Sequence, residues 1–255
     1  MIGLFDSGLG GLSVARAIRS RLPQADLLYL ADSAYCPYGP RSRAEIQRRS
    51  IYCAETLIAA GAQMIVVACN TATAAAVDVL RERFSVPIIG MEPGVKPAVA
   101  ASRQRRIAVL ATSGTLASER FAALLTRHAA DVSVTTIAAP EFVTLVERGE
   151  FASAETERVV ARYVAEIGDA DVIVLGCTHF PLLQPVSAAQ AGHGVPIIDV
   201  NPAVAERTAL FAAQIGCEVG GGQLHVLTTG SAAQINAAAA HIWGGAVTAV
   251  EIAAD

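Results

Sequence analysis

The chain has 255 residues, of which 53% are hydrophobic and only 16% charged, a balance that excludes an intrinsically disordered protein and suits one large α/β unit or two medium domains. A net charge of −4 offers no general attraction for nucleic acid or acidic membranes. Five widely spread cysteines, odd in number and without a C-x-x-C pair, exclude a disulfide framework and make reduced thiols the expectation.

From the first residue, Met1-Ile2-Gly3-Leu4-Phe5 runs into Asp6 with no basic segment ahead of it, which reads as a strand at 2–5 and not as a secretory signal. Short runs rich in Val, Ile and Leu predict further strands at 27–30, 64–68, 87–89, 107–111, 133–137, 172–175 and 196–198, with 224–227 and a weaker 246–252 in the tail. Between them, helical periodicity predicts helices over 11–21, 42–60, 73–84, 115–128, 154–167 and 202–214. The longest stretch without Asp, Glu, Lys or Arg, 219–250, is broken by glycines and polar residues and is a poor membrane span. A soluble, cytoplasmic protein is therefore expected.

The alternation predicts an α/β fold, with mostly parallel sheets flanked by helices, and it occurs twice. Ile2 and Ile107 begin similar strands 105 positions apart, each followed by a small-residue turn, Asp6-Ser7-Gly8 and Thr112-Ser113-Gly114. Ile65-Val66-Val67-Ala68-Cys69-Asn70-Thr71 answers Ile173-Val174-Leu175-Gly176-Cys177-Thr178-His179, with the cysteines 108 apart. Both units close on Val-Pro-Ile-Ile, at 86–89 and 195–198. Two pseudo-symmetric domains follow, residues 1–97 with 208–255 and residues 98–207, with the site in the cleft between them. The connection is expected around 93–105, where Glu92-Pro93-Gly94-Val95-Lys96-Pro97 should break regular structure.

Each repeated cysteine ends a strand and begins a turn into a helix, at the carboxyl edge where open α/β sheets bind ligands. A helix N-terminus is expected to lower a thiol from about 8.5 toward neutrality, which makes it a base. If the domains face each other about a pseudo-two-fold axis, Cys69 and Cys177 reach one cleft from opposite sides. Racemisation needs that arrangement, one group removing the α-proton and a group of similar strength delivering a proton to the other face. The bland alternative for either cysteine alone is a small apolar core residue, and the repeat argues against it. Cys53 reads as packing, Cys36 as a loop residue able to line the cleft, and Cys217 has no functional context.

Asn70, Thr71, Thr178 and His179 follow the cysteines and can add donors to the backbone N–H groups that would hold an anion. Ser7 can do the same, while Asp6 can pair with an ammonium group or take a proton from a thiol. For Asp6, Ser7, Thr71 and Thr178 an ordinary helix N-cap is an equal alternative. A zinc site is weak, since Cys177 and His179 supply two ligands and nothing comparable stands beside Cys69.

These motifs resemble those of glutamate racemases, within the wider aspartate/glutamate racemase family. The matching segments are residues 3–13, Pro37-Tyr38-Gly39, Ala68-Cys69-Asn70-Thr71-Ala72, Glu92-Pro93, residues 111–115, residues 145–149 and residues 176–181. The resemblance implies Cys69 and Cys177 as proton donor and acceptor, with no cofactor and no metal, Cys69 acting on D-glutamate and Cys177 on L-glutamate. It implies that Asp6, Ser7, Tyr38, Gly39, Asn70, Thr71, Thr178 and His179 contact the substrate, and that Asp6, Glu147 and His179 assist the thiols. It further implies supply of D-glutamate for bacterial peptidoglycan. A homodimer is compatible with the sequence; no nucleic-acid or membrane partner is expected.

Rival readings have less behind them. Pyridoxal phosphate needs a lysine, and the single one, Lys96, lies in the presumed linker. A nicotinamide dehydrogenase could use Gly8-Leu9-Gly10 with Asp32 as the ribose-binding acid, but Ser13 replaces the third glycine of that fingerprint. A non-catalytic amino-acid binder has no use for twin thiols. Arg41, Arg43, Arg48 and Arg49, and Arg103, Arg105 and Arg106, read as a solvated helix face and a basic linker rather than a nucleic-acid surface.

Overall fold

The computed structural model describes residues 1–192 and 194–254; His193 and Asp255, which fall within the two expected domains, lie outside the described residues. The chain runs β1 (Ile2–Asp6), α1 (Leu12–Arg21), β2 (Leu27–Ala31), α2 (Arg43–Ala59), β3 (Met64–Val67), α3 (Asn70–Arg83) and β4 (Ile88–Ile89). It then forms α4 (Val95–Ala101), β5 (Arg106–Ala111), α5 (Ser113–Leu116), α6 (Glu119–His128), β6 (Ser133–Ala138), α7 (Pro140–Glu147) and α8 (Ala154–Ala165). The remainder is β7 (Val172–Gly176), α9 (Gln184–Ala191), β8 (Ile197–Ile198), α10 (Asn201–Ile215), β9 (Leu224–Thr228), α11 (Ala232–Trp243) and β10 (Ala249–Glu251).

Two parallel sheets result, ordered β10-β9-β2-β1-β3-β4 and β6-β5-β7-β8. The inner order β2-β1-β3-β4 is the order β6-β5-β7-β8 of the other sheet, so the duplication seen in the sequence is a duplication of topology. Ile2 lies between Leu27 and Met64, as Ile107 lies between Val134 and Val172. Successive side chains point to opposite faces. Leu4 and Val66, with Leu110 and Leu175 of the second sheet, enter one apolar cluster shared by both lobes, whereas Phe5 with Val67 and Val109 with Val174 fill a separate core on each outer face. Because both faces are covered, β1, β3 and β7 are buried from end to end, which is why they read as unbroken apolar runs.

Several expectations need correction. The presumed linker holds α4, whose Pro97 sits in the first turn, where a helix has no use for the missing N–H. Val95 and Ala98 of α4 pack with Ile107, Val109 and Val172, so the chain has already joined the second lobe there. The two expected boundaries, 97/98 and 207/208, fall inside helices, α4 and α10. The helix expected over 115–128 is two, because Ser118 caps a fresh start by accepting from the Phe121 N–H at 3.1 Å. Helices α7, α9 and α11 were not expected: α7 and α9 are eight residues long, and α11 is Ala-rich with little polar contrast. The tail strands β9 and β10 extend the first sheet beside β2.

The chain passes between lobes twice, over 90–94 and 199–200, and these crossings touch. A Cβ placed on Gly94 would stand 2.6 Å from Ile198 and 3.1 Å from Val200. Among the described residues, no helix is long and apolar enough to cross a membrane.

Candidate active site

Both cysteines stand where the repeat places them. Cys69 follows β3 and is the N-cap of α3, its sulfur accepting from the Ala72 N–H at 3.5 Å, and Cys177 follows β7. They are 5% and 7% exposed, enclosed by the contact of the lobes. A cavity of about 540 Å³ runs between α2–α3 and α5–α6 and meets this centre only at Thr71 and Gly114. We take the polar cluster around the two sulfurs as the site, since that cavity carries no thiol and its charged residues are paired across the lobes, Arg120 with Asp78 at 3.0 Å and with Glu92 at 2.9 Å.

Asp6, at the end of β1, joins the halves. It accepts from the Ser7 N–H at 2.8 Å, the Gly11 N–H at 2.7 Å and the Thr178 hydroxyl at 3.2 Å, and its charge is felt by the Cys69 thiol. Burial pushes the Asp6 carboxyl up, against the opposing pulls of His179, Cys69 and the Gly11 N–H. Burial also drives the Cys69 thiol well above its ordinary range, with the Asp6 charge adding to it and the Ala72 N–H working the other way. This reverses the expectation of a thiol lowered by its helix: one N–H at 3.5 Å does not offset complete burial beside a carboxylate.

The Cys177 side is built differently. His179 Nδ1 lies 3.7 Å from the Cys177 sulfur, and Nε2 lies 2.7 Å from Glu147 Oε1 at the end of α7. Burial alone would lower His179, but hydrogen bonds to Cys177, Cys36 and Glu147 outweigh it and hold the imidazolium well above its ordinary value. Glu147 also accepts from the Leu9 N–H at 2.7 Å, which ties the second lobe to the glycine loop of the first. That loop is glycine for a steric reason. A Cβ on Gly8 would lie 2.1 Å from Glu147 Oε1, and one on Gly10 would lie 2.3 Å from His179 Nδ1. The close approach that suggested a dinucleotide fingerprint admits side chains of the other lobe.

A second cross-lobe contact mirrors the first. As Asp6 after β1 receives Thr178, so Thr112 after β5 meets Thr71, hydroxyl to hydroxyl at 2.7 Å, with Thr115 bonded to Thr112 at 3.0 Å. Thr112 and Thr115 were missed as site residues, although the turn equivalent to Asp6-Ser7-Gly8 was the signal that could have found them. Ser13 and Asn201 were missed too; Ser13 donates to the Thr178 carbonyl at 3.0 Å and accepts from Asn201 at 3.0 Å.

Ser7 is buried beside Asp6, its hydroxyl 3.4 Å from the carboxylate. Asn70 is 3% exposed, and neither its amide nitrogen nor its oxygen has a hydrogen-bond partner among the described residues. Such groups are rare in folded proteins, and each calls for an explanation. The Tyr38 ring is buried and its hydroxyl donates to Asp32 at 2.5 Å, so the phenol is committed inside the first lobe, while Gly39 reaches Ser113 of the second, whose hydroxyl donates to its carbonyl at 3.3 Å. Lys96 is exposed on α4, outside the cluster.

Cys36, Glu147 and His179 form the one group among the described residues with metal-ligand character, their donor atoms within 4.8 Å of one another. Two ligands of one tetrahedral zinc ion stand about 3.4 Å apart. Nε2 of His179 and Oε1 of Glu147 are at 2.7 Å, and burial pushes the Cys36 thiol up to about 11. In this arrangement His179 and Glu147 are hydrogen-bonded to each other, with Cys36 beside them.

The sequence profile described as Asp/Glu/Hydantoin racemase matches residues 12–208. The chain belongs to that family. A glutamate racemase of Herpetosiphon aurantiacus is 47% identical over 237 residues, covering 91% of this chain and 93% of the relative. A solved glutamate racemase of Bacillus anthracis superposes with a TM-score of 0.88 at 32% identity, covering 99% of this chain and 97% of the other. An Escherichia coli glutamate racemase solved with L-glutamate and an activator also gives 0.88, at 29% identity, with coverage of 99% and 98%. Family membership makes this chain a racemase, an isomerase of two-domain α/β architecture.

Proposed function

We propose that the enzyme interconverts L- and D-glutamate without a cofactor or metal, using Cys69 and Cys177 on opposite faces of Cα, and so supplies D-glutamate for peptidoglycan. The observation that carries this reading is Asp6 at the end of β1, which accepts from the Thr178 hydroxyl of the other lobe at 3.2 Å and whose charge bears on the Cys69 thiol, so that two equivalent strand ends of different lobes share one buried centre. The names of the relatives supply the substrate.

In the direction from D-glutamate, Asp6 accepts the Cys69 proton, the thiolate removes the α-proton, and the Cys177 thiol protonates the opposite face of the carbanion. In reverse, the His179 imidazolium, braced by Glu147, stabilises Cys177 as the thiolate that removes the α-proton of L-glutamate, and Cys69 returns a proton. Asn70, with its unsatisfied amide, holds a carboxylate together with Ser7, Thr71, Thr178, His179 and the backbone of Tyr38 and Gly39. Enclosure keeps water from protonating the carbanion and holds reacting atoms in line. The reading includes two lobes divided at the crossings 90–94 and 199–200, a cytoplasmic location, and compatibility with a homodimer, which light scattering on the purified protein checks.

The test is circular dichroism on L- or D-glutamate with enzyme and no additive, together with deuterium uptake at Cα in heavy water. Loss of optical activity with deuterium incorporation is expected. Comparable turnover of aspartate in parallel would refute the substrate assignment.

A further inference from the structure

Asp32 and Arg49 have no role in the proposed proton transfer, yet they form a buried ion pair in contact with Tyr38. Neither was expected there: Asp32 could serve a ribose only in a rival reading, and Arg49 was grouped with a solvated helix face. In the structure Asp32 is 0% and Arg49 5% exposed. Arg49 Nε and Nη2 donate to the two carboxylate oxygens at 3.0 and 2.7 Å. The guanidinium lies over the rings of Tyr35 and Tyr52, at 3.9 and 4.4 Å from their centroids, and its Nη1 donates to the Ala254 carbonyl at 2.5 Å. Thr229, just past β9, donates to Asp32 at 2.8 Å.

Such a pair is an inefficient way to stabilise a core, because desolvation offsets most of its attraction and an apolar replacement often serves as well. Its geometry serves something else. The remaining strong donor on Asp32 is the Tyr38 hydroxyl, at 2.5 Å. Tyr38 begins the strap whose next residue, Gly39, meets the second lobe: a Cβ there would lie 3.3 Å from Thr112, and the Gly39 carbonyl accepts from Ser113. Thr112 in turn holds Thr71, two residues beyond Cys69, at 2.7 Å. The charge pair, the phenol, the strap and the opposite lobe therefore form one continuous chain of contacts that ends at the site.

We propose that Arg49 and Asp32 are positioning residues for substrate: through the Tyr38 hydroxyl they fix the 37–39 strap at the height where Gly39 closes against Thr112 and Ser113. Arginine is required because the fork engages both carboxylate oxygens while its third nitrogen engages the tail, which a lysine ammonium cannot do. The proposal rests on the reading of Tyr38 and Gly39 as substrate contacts.

The deciding variant is Tyr38→Phe, which keeps the ring and removes only the link, measured beside Arg49→Lys and the wild type with both enantiomers. KM is expected to rise about tenfold in both directions in Tyr38→Phe, with kcat within about threefold of wild type, the signature of weakened binding without loss of chemistry. Arg49→Lys should show the same split. A KM within twofold of wild type in Tyr38→Phe, whether or not its melting temperature falls, overturns the proposal, as does a loss confined to kcat. A wild-type enzyme that fails to racemise glutamate would instead overturn the functional reading.

Discussion

Cys69 and Cys177 end equivalent strands of a duplicated fold, yet their neighbours carry opposite charge. Cys69 faces the Asp6 carboxylate, and Cys177 faces His179, an imidazolium braced by Glu147. The repeat supplies two like thiols, and the side chains around them differ. The first thiol is kept protonated by burial and by a carboxylate that can take its proton. The second lies 3.7 Å from Nδ1 of His179, whose own value is held up by its hydrogen-bond partners. Under the proposed two-thiol mechanism, a reaction that runs both ways between mirror images does not require mirror-image surroundings; it requires that each sulfur reach both protonation states.

The most severe way to break this comparison is to remove either sulfur. Cys69→Ser and Cys177→Ser should each lower racemisation by at least about 10³-fold, because a serine hydroxyl is far harder to ionise than a thiol. Full activity of either variant by circular dichroism would end the two-thiol reading. Next comes Asp6→Asn, expected to lower kcat about 10²-fold. Enantiomers have equal free energy, so kcat/KM must stay equal in the two directions for any variant. The asymmetry therefore shows in the primary deuterium isotope effect, which should grow more for D-glutamate than for L-glutamate in Asp6→Asn; equal growth would mean that Asp6 serves both sulfurs alike. Glu147→Gln should be milder, about tenfold in kcat, with the larger isotope effect now on L-glutamate.

The smallest effect sharpens the charge assignment on the Cys177 side. His179 is raised in the folded state above its ordinary 6.5, so the stability it confers is complete below about pH 6.5 and is lost as pH rises through the folded value. The melting-temperature advantage of wild type over His179→Gln should therefore be largest near pH 6 and shrink by pH 9, by about 2–4 °C for each kcal/mol of linkage. A constant gap would show that His179 is neutral in the folded protein.

Much of this was legible in the sequence because the repeat is long and its strands are buried on both faces. Unbroken runs such as Met64–Val67 and Val172–Gly176 located the sulfurs, and their constant offset paired them. The helices that escaped notice were too short or too uniform for periodicity to register, and α7 was among them, so Glu147 entered from the resemblance alone. The charge state of Cys69 was misjudged because local geometry reveals a helix terminus but not the burial that a second lobe imposes. Arg49 was misplaced for a related reason: a run of arginines on a helix looks uniformly solvated until the rings of Tyr35 and Tyr52 and the Asp32 carboxylate are known to surround one of them.

The paired crossings at 90–94 and 199–200 carry a mechanical consequence. A single tether would let the lobes swivel freely, whereas two side by side, with Gly94 against Ile198 and Val200, act as a double pin and leave one easy rotation about the line through them. With the sulfurs only 5% and 7% exposed, that rotation is the motion the two tethers leave for admitting a small molecule, and it would have to part the contact of Gly39 with Ser113 on the far rim.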